Sequence, residues 1–543
     1  MKISAAGRLD TGVLGRLLLA GCLLAAGHAC TSDKGASTGD PGGPRFNAVG
    51  GSEDEGEGGA AEDPNLDTGD SVLQRNNHAS RDGHFLQPTL TKSAIAKFHE
   101  DEDFEAEFAG DMRASLLFLA DGPNDQGAFF GVTTRNDVIA FDETSGEVVW
   151  STNIGDAPTA TGVPCGSIHP LGIISTPVID AASRTIYVAG AIGTDKIKAH
   201  EIHALSVDDG TERDGFPIDV TGMTAGDQTF DAPAENQRGA LSLVGGKLYV
   251  AYGGHTGDCG DYRGWVVAVD TADPSKRNAW VTLGAGEGIW AAGGLASDGK
   301  SMFAITGNST VGAADRASSD SEQVVRLTGM AHFERSEQNL YYPNNWKSMD
   351  GSDADFGASN PIYLSIPGST PTNYVAAVAK DGHLYLLNSS NLGGMNGQVV
   401  DFRVSTSAMG VRTVPASYTT AKGVHFVLST SNAPACGANG PKSQAIVSVL
   451  LKPGSPPSAA LEWCAPLEGQ VTAPIATTTD GTNDATVWYT NDGHLTALDG
   501  DTGKTIYVSE DECENIRKWT SPIAVKGRIV VGADSRLCSW STH

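Results

Sequence analysis

The sequence predicts an all-β protein: a β-propeller of eight four-stranded antiparallel blades, with seven blades as the alternative. The chain has 67 glycines among 543 residues and only 19% charged residues, a composition typical of many short strands joined by tight turns. A strand–turn–strand unit recurs along the chain. A Pro-containing marker also recurs, in the second half at intervals of about 48–59 residues, a spacing typical of propeller blades.

The N-terminus has the pattern of a secretory signal peptide, and we assign residues 1–29 to it. Lys2, Arg8 and Arg16 precede the apolar run Leu17–Ala29, which ends in small residues. A basic start, a short apolar core and a small-residue end are the marks of an export signal. The run is shorter than the ~20 residues needed to span a bilayer.

Two cysteines at the end of this signal are candidates for lipid attachment. Leu19–Cys22 resembles the bacterial lipobox closely, but little apolar chain precedes it. Cys30 follows a poorer box with a better apolar run. Cleavage before Cys30 leaves six further cysteines, an even number suited to disulfides in an oxidising compartment, whereas cleavage before Cys22 leaves seven. We therefore expect lipidation at Cys30, with Cys22 as the alternative.

The segment 30–71 is predicted to be a disordered acidic linker between this anchor and the folded domain, residues 72–543. It consists largely of Gly, Ser, Asp and Glu, and such a sequence buries too little apolar surface to offset its ordering entropy. The whole chain carries a net charge of −28. This charge argues against nucleic acid or an anionic membrane surface as a partner, because both require clustered Lys and Arg.

The repeating unit is a hairpin with an Asx residue and a glycine at its turn. Asn136–Asp142 leads through a Gly-containing turn into Val148–Trp150, and His494–Asp499 leads in the same way into Thr505–Tyr507. The alternating strand buries one face, the Asp caps the turn, and Gly supplies a positive φ. We expect the aromatic residue of the outer strand to pack against the neighbouring blade.

The inner strand of most units is introduced by a small residue followed by proline, which is tolerated at the first residue of a strand. With these markers the strand sets fall near 112–155, 172–220, 238–283, 289–345, 356–404, 411–464, 469–510 and 519–541. The eighth set lacks its outermost strand. Phe104–Phe108 parallels the outer strand of the first set, so this N-terminal segment is predicted to complete the last blade and close the ring.

Several motifs give the chain a family resemblance over roughly residues 72–540. They are Gln74–Gly83, Gly172–Asp180, Gln237–Leu241, Gly264–Trp265, Gly288–Trp290, Thr306–Asn308 and Ala379–Tyr385. In this order they resemble the propellers of the pyrroloquinoline-quinone (PQQ) proteins, the quinoprotein dehydrogenases. The resemblance implies the fold more strongly than an activity, because propellers host many functions.

The resemblance also implies where a cofactor would lie. Quinoprotein dehydrogenases hold PQQ and Ca²⁺ in the central funnel, and Asn308 matches a calcium-binding Asn of their Thr-Gly-Asn motif. We expect the loops around Trp265, Trp290, Asn308 and Lys380 to converge there. The register of the family places the catalytic Asp near Ala317, so that Asp315 or Asp320 is the candidate base.

The sequence departs from that family in two respects that put catalysis in doubt. It has no adjacent cysteine pair, which in the family stacks on the quinone, and no Cys-x-x-Cys-His motif for a covalent haem. The carboxylates Asp350, Asp353 and Asp355 resemble half of a calcium loop but lack the downstream Glu. Asn308, Asp353 and Asp355 are therefore the metal-ligand candidates, beside the alternative that these aspartates only cap turns.

Six cysteines are interpreted as structural. From the proximity of blades we expect Cys165 to pair with Cys259, Cys436 with Cys464, and Cys513 with Cys538.

These observations favour a non-catalytic, exported propeller lipoprotein of the outer membrane, in the periplasm or at the cell surface. It would bind an envelope or extracellular protein, or a small ligand at the funnel, and would touch the membrane only through its lipid. No cofactor is expected for this function, although Ca²⁺ fits it better than PQQ. The alternative is a PQQ- and calcium-dependent dehydrogenase of alcohols or sugars.

Overall fold

The computed structural model describes residues 61–543 except 313–314, 407–409, 412, 434–443, 468 and 543. Eight antiparallel sheets follow one another along the chain, each with four strands ordered from inner to outer. This confirms the prediction of eight blades. Within the described ranges, helix is limited to short turns: the α-helices Lys92–Ile95 and Trp346–Asp350 and the 3₁₀ turns Pro123–Asp125 and Phe356–Ala358.

The first four blades fill residues 117–342. Their strands, inner to outer, are Leu117–Leu119, Ala128–Val132, Asp137–Asp142 and Val148–Asn153 in blade 1; Val178–Asp180, Thr185–Gly193, Ile197–Ser206 and Ile218–Asp219 in blade 2; Ser242–Val244, Lys247–Gly254, Trp265–Asp270 and Arg277–Val281 in blade 3; and Ala296–Ser297, Ser301–Ile305, Val324–Thr328 and Leu340–Tyr342 in blade 4. Glu235–Gln237 adds a second short strand to the inner edge of blade 3, and Gly394–Met395 adds a parallel strand to the outer edge of blade 4.

The last four blades fill residues 362–541. Their strands are Ile362–Ser365, Asn373–Val378, His383–Asn388 and Val400–Arg403 in blade 5; Ala416–Thr420, Gly423–Ser431, Gln444–Lys452 and Ser458–Leu467 in blade 6; Ile475–Thr478, Thr486–Asn491, His494–Asp499 and Thr505–Val508 in blade 7; and Ile523–Val525, Arg528–Gly532 and Arg536–Ser541 in blade 8. A separate hairpin, Thr224–Ala225 with Gln228–Thr229, follows blade 2.

The N-terminal segment supplies the outer edge of blade 8, as predicted. Ala106–Glu107 pairs antiparallel with the last strand, Ala106 lying opposite Leu537. His99–Glu100 pairs with the other end of the same strand. Both ends of the folded chain therefore meet in one sheet, which closes the ring and covers an edge that would otherwise be open.

Neighbouring blades are joined by the aromatic residues of the repeat. Trp150 on the outer strand of blade 1 donates its indole N–H to the carbonyl of Val207 in blade 2, at 2.9 Å. Its ring lies against Gly210, where an added Cβ would come within 2.6 Å of the ring. Trp463 of blade 6 contacts Gly503 of blade 7 in the same way. Glycine is therefore required at this turn for two reasons. Its backbone φ is positive, and a side chain there would collide with the tryptophan of the preceding blade.

The segment 72–87, which we call the plug, runs through the centre of the ring and contacts every blade. Its partners in blades 1 to 8 are, in order, Val72 with Phe118, Leu73 with Ile179, Arg81 with Leu241, Ala79 with Ser297, Ser80 with Tyr363, Asp82 with Ser417, Gly83 with Ala476, and Gln87 with Ala524. Within the plug, the strand His84–Leu86 pairs parallel with Ile475–Thr478 of blade 7. The plug thereby adds hydrogen bonds to inner strands that are only two to five residues long.

Two arginines of the plug are buried and form no ion pair with a carboxylate among the residues that the structure describes. Arg81 is fully buried and donates to the carbonyls of Arg75, Leu241 and Leu295 at 2.7–2.8 Å, and to the Ser242 hydroxyl. Arg75 donates to the carbonyl of Trp519 at 2.7 Å. Burial and the repulsion between the two lower the pKa of Arg81 to about 9, so it remains charged at neutral pH and its hydrogen bonds are charge-assisted.

The chain contacts the propeller from Glu62 onward, within the segment assigned to the linker by sequence. The Glu62 N–H donates to the Gly299 carbonyl at 3.1 Å, and its carboxylate accepts from the Gly245 N–H at 3.0 Å. The signal peptide, residues 30–60 of the linker, Cys22 and Cys30 lie outside the described residues. In the part of the chain that is described, no helix is long and apolar enough to cross a membrane.

Two of the predicted disulfides are present. Cys165, in the connection between blades 1 and 2, is bonded to Cys259, between the second and third strands of blade 3. Cys513, in the connection between blades 7 and 8, is bonded to Cys538 in the last strand of blade 8. Cys464 is also disulfide-bonded, but its predicted partner Cys436 lies outside the described residues.

We predict that Arg81→Met destabilises the propeller by about 3 kcal/mol or more, because it leaves the buried carbonyls of Arg75 and Leu241 without a donor. The exposed Arg277 of blade 3 is the matched control, and Arg277→Met should change stability by less than about 0.5 kcal/mol. Thermal and urea unfolding midpoints measure both effects. Equal midpoints for the two variants would contradict the role given to Arg81.

Candidate functional site

One end of the central channel opens into a cavity of about 490 Å³, which we call the funnel. It is lined by residues just before the inner strands of several blades: Arg113 in blade 1, Arg238 in blade 3, Trp290 in blade 4, Asp355 in blade 5 and Trp519 in blade 8. Its volume is within the range of small-molecule sites. The propeller repeat itself explains this convergence, because equivalent loops of successive blades surround the same axis.

Five of the residues predicted from sequence come together in the funnel: Trp290, Asn308, Asp353, Asp355 and Lys380. The Lys380 ammonium lies 2.7 Å from Asp353 Oδ1 and 2.9 Å from Asp355 Oδ2. Asp355 Oδ1 accepts the backbone N–H of Asn308 at 2.8 Å. The Lys380 ammonium also lies 5.6 Å from the centre of the Trp290 ring. These contacts connect the funnel ends of blades 4 and 5.

The other predicted residues lie elsewhere. Trp265 is buried in the core of blade 3, where its indole N–H donates to Glu235 at 3.0 Å. Asp315 is exposed and caps its own turn by accepting from the Ala317 N–H. Asp320 is fully buried and ion-paired with Arg335 at 2.6 Å. Neither aspartate is among the residues that line the funnel, and their assignment as candidate bases stays a prediction. The aspartates that line the funnel are Asp353 and Asp355, which directly precede blade 5, and Asp258 of blade 3.

The sequence interpretation missed the basic side of the funnel. Arg238 lies over the rings of Trp519 and Trp290, at 4.8 and 5.9 Å from their centres. Arg113 and Lys518 line the same side. The motif Gln237–Leu241 contains Arg238, but as a sequence pattern it indicated only the fold and not a basic residue in the funnel. Trp519 has no comparable signal, because its place in the funnel depends on closure of the ring.

Beneath the acidic side lies a buried carboxyl, Glu322. Its Oε2 accepts the Phe356 N–H at 2.5 Å. Burial, and then the nearby Asp355, raise the pKa of Glu322 well above its usual value. Burial also raises the pKa of Asp355, although Lys380 opposes that rise. Both carboxyls are therefore easier to protonate in the folded protein than in the unfolded chain.

The residues of the predicted metal site do not fit calcium. Ca²⁺ takes six to eight oxygen ligands, whereas Asp353 and Asp355 are already bound to the Lys380 ammonium. Asp350, beside them in sequence, accepts the Ser309 N–H at 2.6 Å. Across the described ranges, no group of three or more His, Cys, Asp or Glu side chains is arranged to hold a metal ion.

Comparison with known proteins supports the fold. No family model matches the chain, and no curated protein sequence matches it. Among solved structures it is similar to a quinohemoprotein alcohol dehydrogenase from Comamonas testosteroni, with a TM-score of 0.61, 13% identity, and coverage of 87% of this chain and 80% of the other. A quinohemoprotein alcohol dehydrogenase from Pseudomonas putida HK5 gives a TM-score of 0.59, 12% identity and the same coverage.

A europium-containing methanol dehydrogenase is similar to the same degree. It gives a TM-score of 0.60 and 14% identity, and the match covers 85% of this chain and 89% of the other. At these identities the likenesses concern the fold alone. The chain therefore has the PQQ-type eight-bladed propeller fold, as the sequence motifs predicted.

Glu322 should make the stability of the propeller depend on pH. Because its folded pKa is raised, the contribution of Glu322 to stability is fully present at low pH and is lost as pH rises from the ordinary Glu value through the raised one. Glu322→Gln keeps the acceptor for Phe356 and removes the titration. We predict a shallower decrease in melting temperature between about pH 5 and pH 9 for this variant. The exposed Glu334→Gln is the control, and a slope equal to that of the control would contradict the prediction.

Proposed function

We propose that this chain is an exported lipoprotein, anchored at Cys30 to the outer membrane, whose propeller binds a ligand or protein at the funnel without catalysis. The observation that carries the proposal is the pairing of the funnel carboxylates. Lys380 bridges Asp353 and Asp355 at 2.7 and 2.9 Å, and Asp355 also accepts from Asn308. A general base must reach its substrate with an available lone pair. These carboxylates are instead used to hold the loops together.

The basic side of the funnel supports binding. The funnel is lined on this side by Arg113, Arg238 and Lys518, although the chain as a whole carries a net charge of −28. A basic patch on an otherwise acidic protein attracts anionic groups to that patch. The acidic remainder of the surface repels other copies of the protein. The aromatic rings of Trp290 and Trp519 add rigid contact area, which is typical of binding sites.

A PQQ-dependent dehydrogenase is the second candidate. It is favoured by the convergence of Trp290, Asn308 and Lys380 in one cavity, as the family resemblance implied, and by the likeness to dehydrogenases whose fold this chain has. The oxygen atoms beside Asn308 argue against it, because Asp353 and Asp355 are paired with Lys380 and do not provide the six to eight ligands that calcium takes.

The two candidates can be separated with the purified chain. After incubation with PQQ and Ca²⁺, we predict no bound quinone absorption and no dye-linked oxidation of alcohols or sugars. The reason is that the funnel carboxylates are paired with Lys380 and Asn308 and do not supply the oxygen ligands that calcium needs. A quinone band that remains after desalting, together with substrate-dependent dye reduction, would contradict the non-catalytic proposal.

The anchor can be tested by metabolic labelling with a palmitate analogue in a bacterial host. We predict that Cys30→Ser abolishes labelling and releases the protein from the membrane fraction, because this change removes the thiol that carries the lipid. Cys22→Ser is the matched control and should remain labelled. Labelling that persists in Cys30→Ser and disappears in Cys22→Ser would move the anchor to Cys22. Labelling unaffected by both changes would contradict lipid attachment at this signal.

A further inference from the structure

The segment 163–170, which we call the flap, forms part of the funnel wall without a hydrogen bond of its own. It lies in the connection between blades 1 and 2, and its residues Ser167 and Ile168 line the funnel. None of its residues forms a hydrogen bond with any residue that the structure describes. A loop is usually positioned by such bonds, so the flap must be held in another way.

The chain is fixed on both sides of the flap. Before it, the Gly162 carbonyl accepts the Ile197 N–H of blade 2 at 3.1 Å. After it, the N–H of the buried Leu171 donates to the Pro158 carbonyl at 2.8 Å. Movement of the flap is therefore confined to the segment between these two points and leaves the blades unchanged.

A disulfide joins the flap to blade 3. Cys165 of the flap is bonded to Cys259, which is 94 residues away in sequence. Cys259 belongs to the loop 255–264, and this loop is firmly held, because Tyr262 is buried and its carbonyl accepts the Gly286 N–H at 2.8 Å. The disulfide thus connects a weakly held segment to a fixed one across the top of blade 2.

Two apolar side chains supply the other contacts of the flap. Val163 is buried and Ile168 is half-buried against the apolar cluster between blades 2 and 3. Half of the flap is exposed: Pro164, Gly166, Ser167 and His169. Two such side chains return less free energy than the ordering of a whole loop costs. The position of the flap therefore depends on the disulfide.

This disulfide is also accessible to thiols. Cys165 and Cys259 are both half-buried and lie next to exposed residues. In contrast, Cys513 and Cys538 are 0% and 1% exposed. Thiol–disulfide exchange requires that an attacking thiolate reach one of the two sulfur atoms. We therefore expect a small dithiol to reduce the flap disulfide in the folded protein, and Cys513–Cys538 only when the protein unfolds.

We infer that Cys165–Cys259 is a redox modification site that controls access to the funnel. One thiolate of a dithiol attacks one sulfur, which forms a mixed disulfide and releases the other cysteine. The second thiol of the dithiol then displaces the remaining cysteine. Two electrons and two protons pass from the dithiol, which becomes a disulfide, to Cys165 and Cys259, which become thiols.

Reduction releases the flap and opens this side of the funnel. The inference rests on the proposed function, because it concerns entry to the same funnel. Its tests use no funnel ligand, so that the two proposals fail separately. Dehydrogenase activity in the PQQ experiment would refute the proposed function and would leave the measurements below unchanged.

The chemistry is tested by stepwise reduction of the full folded chain with dithiothreitol, followed by alkylation and mass spectrometry. We expect Cys165 and Cys259 to become alkylated at least about tenfold faster than Cys513 and Cys538, with an unchanged circular dichroism spectrum. Equal rates for the two pairs, or loss of the folded spectrum as Cys165 and Cys259 react, would overturn the inference.

Release of the flap is tested with thermolysin, which cleaves before large aliphatic residues such as Ile168. In Cys165→Ser/Cys259→Ser the bond between Ser167 and Ile168 should be cut about tenfold faster than in the oxidised wild type, because cleavage reports local opening. Cleavage before the exposed Val311 is the internal control and should proceed at the same rate in both. An unchanged rate at Ile168 would show that the disulfide does not hold the flap.

Opening of the funnel is tested by acrylamide quenching of tryptophan fluorescence, since Trp290 and Trp519 line the cavity. Dithiothreitol should increase quenching in the wild type, and it should cause no increase in Trp290→Phe/Trp519→Phe. This measurement needs only the reduced wild-type chain, so it stands even where the double serine variant does not fold. No increase in the wild type, or an increase of the same size in Trp290→Phe/Trp519→Phe, would contradict control of the funnel by this disulfide.

Discussion

Arg81 holds the centre of this propeller through hydrogen bonds to the backbone of blades 3 and 4 and of the plug itself. A buried charge is retained only where its donors are satisfied. Here the acceptors are the Arg75 carbonyl within the plug and the carbonyls of Leu241 and Leu295, which directly precede the inner strands of blades 3 and 4. The remaining contacts of the plug reach all eight blades. Sequence-distant strands are therefore held in register by one segment of 16 residues, in addition to the closure of blade 8.

The plug also determines the chemistry of the funnel above it. Arg75 donates to the carbonyl of Trp519, and Arg238 lies near enough to lower the pKa of Arg75, after the larger effect of burial. The same segment that stabilises the ring thus supplies positive charge to the floor of the cavity. On the opposite side, Lys380 neutralises Asp353 and Asp355. The cavity thus has a basic side, which includes Arg113 and Arg238, and a side on which Lys380 pairs with Asp353 and Asp355.

The sequence was sufficient for the features that depend on local pattern. Alternating strands, turn glycines and the N-terminal closing strand are encoded within a few dozen residues, and their prediction is confirmed. Trp150 illustrates this, because its contact with Gly210 follows from the repeat. Asp315 and Asp320 lie outside the funnel lining, because Asp315 accepts from its own turn and Asp320 is buried against Arg335. Distance along the chain could not give these positions in space. Arg238 and Trp519, 281 residues apart, meet only because the ring closes.

Native-state hydrogen exchange of the plug tests the central claim most directly, because the claim is that this segment is part of the propeller core. We predict that amides with a partner in the ring, such as those of Val72 and Gln87, exchange as slowly as the amides of the inner strands, through global unfolding. Rapid exchange of residues 72–87 while the inner strands stay protected would contradict this account, since the blades would then be stable without the plug.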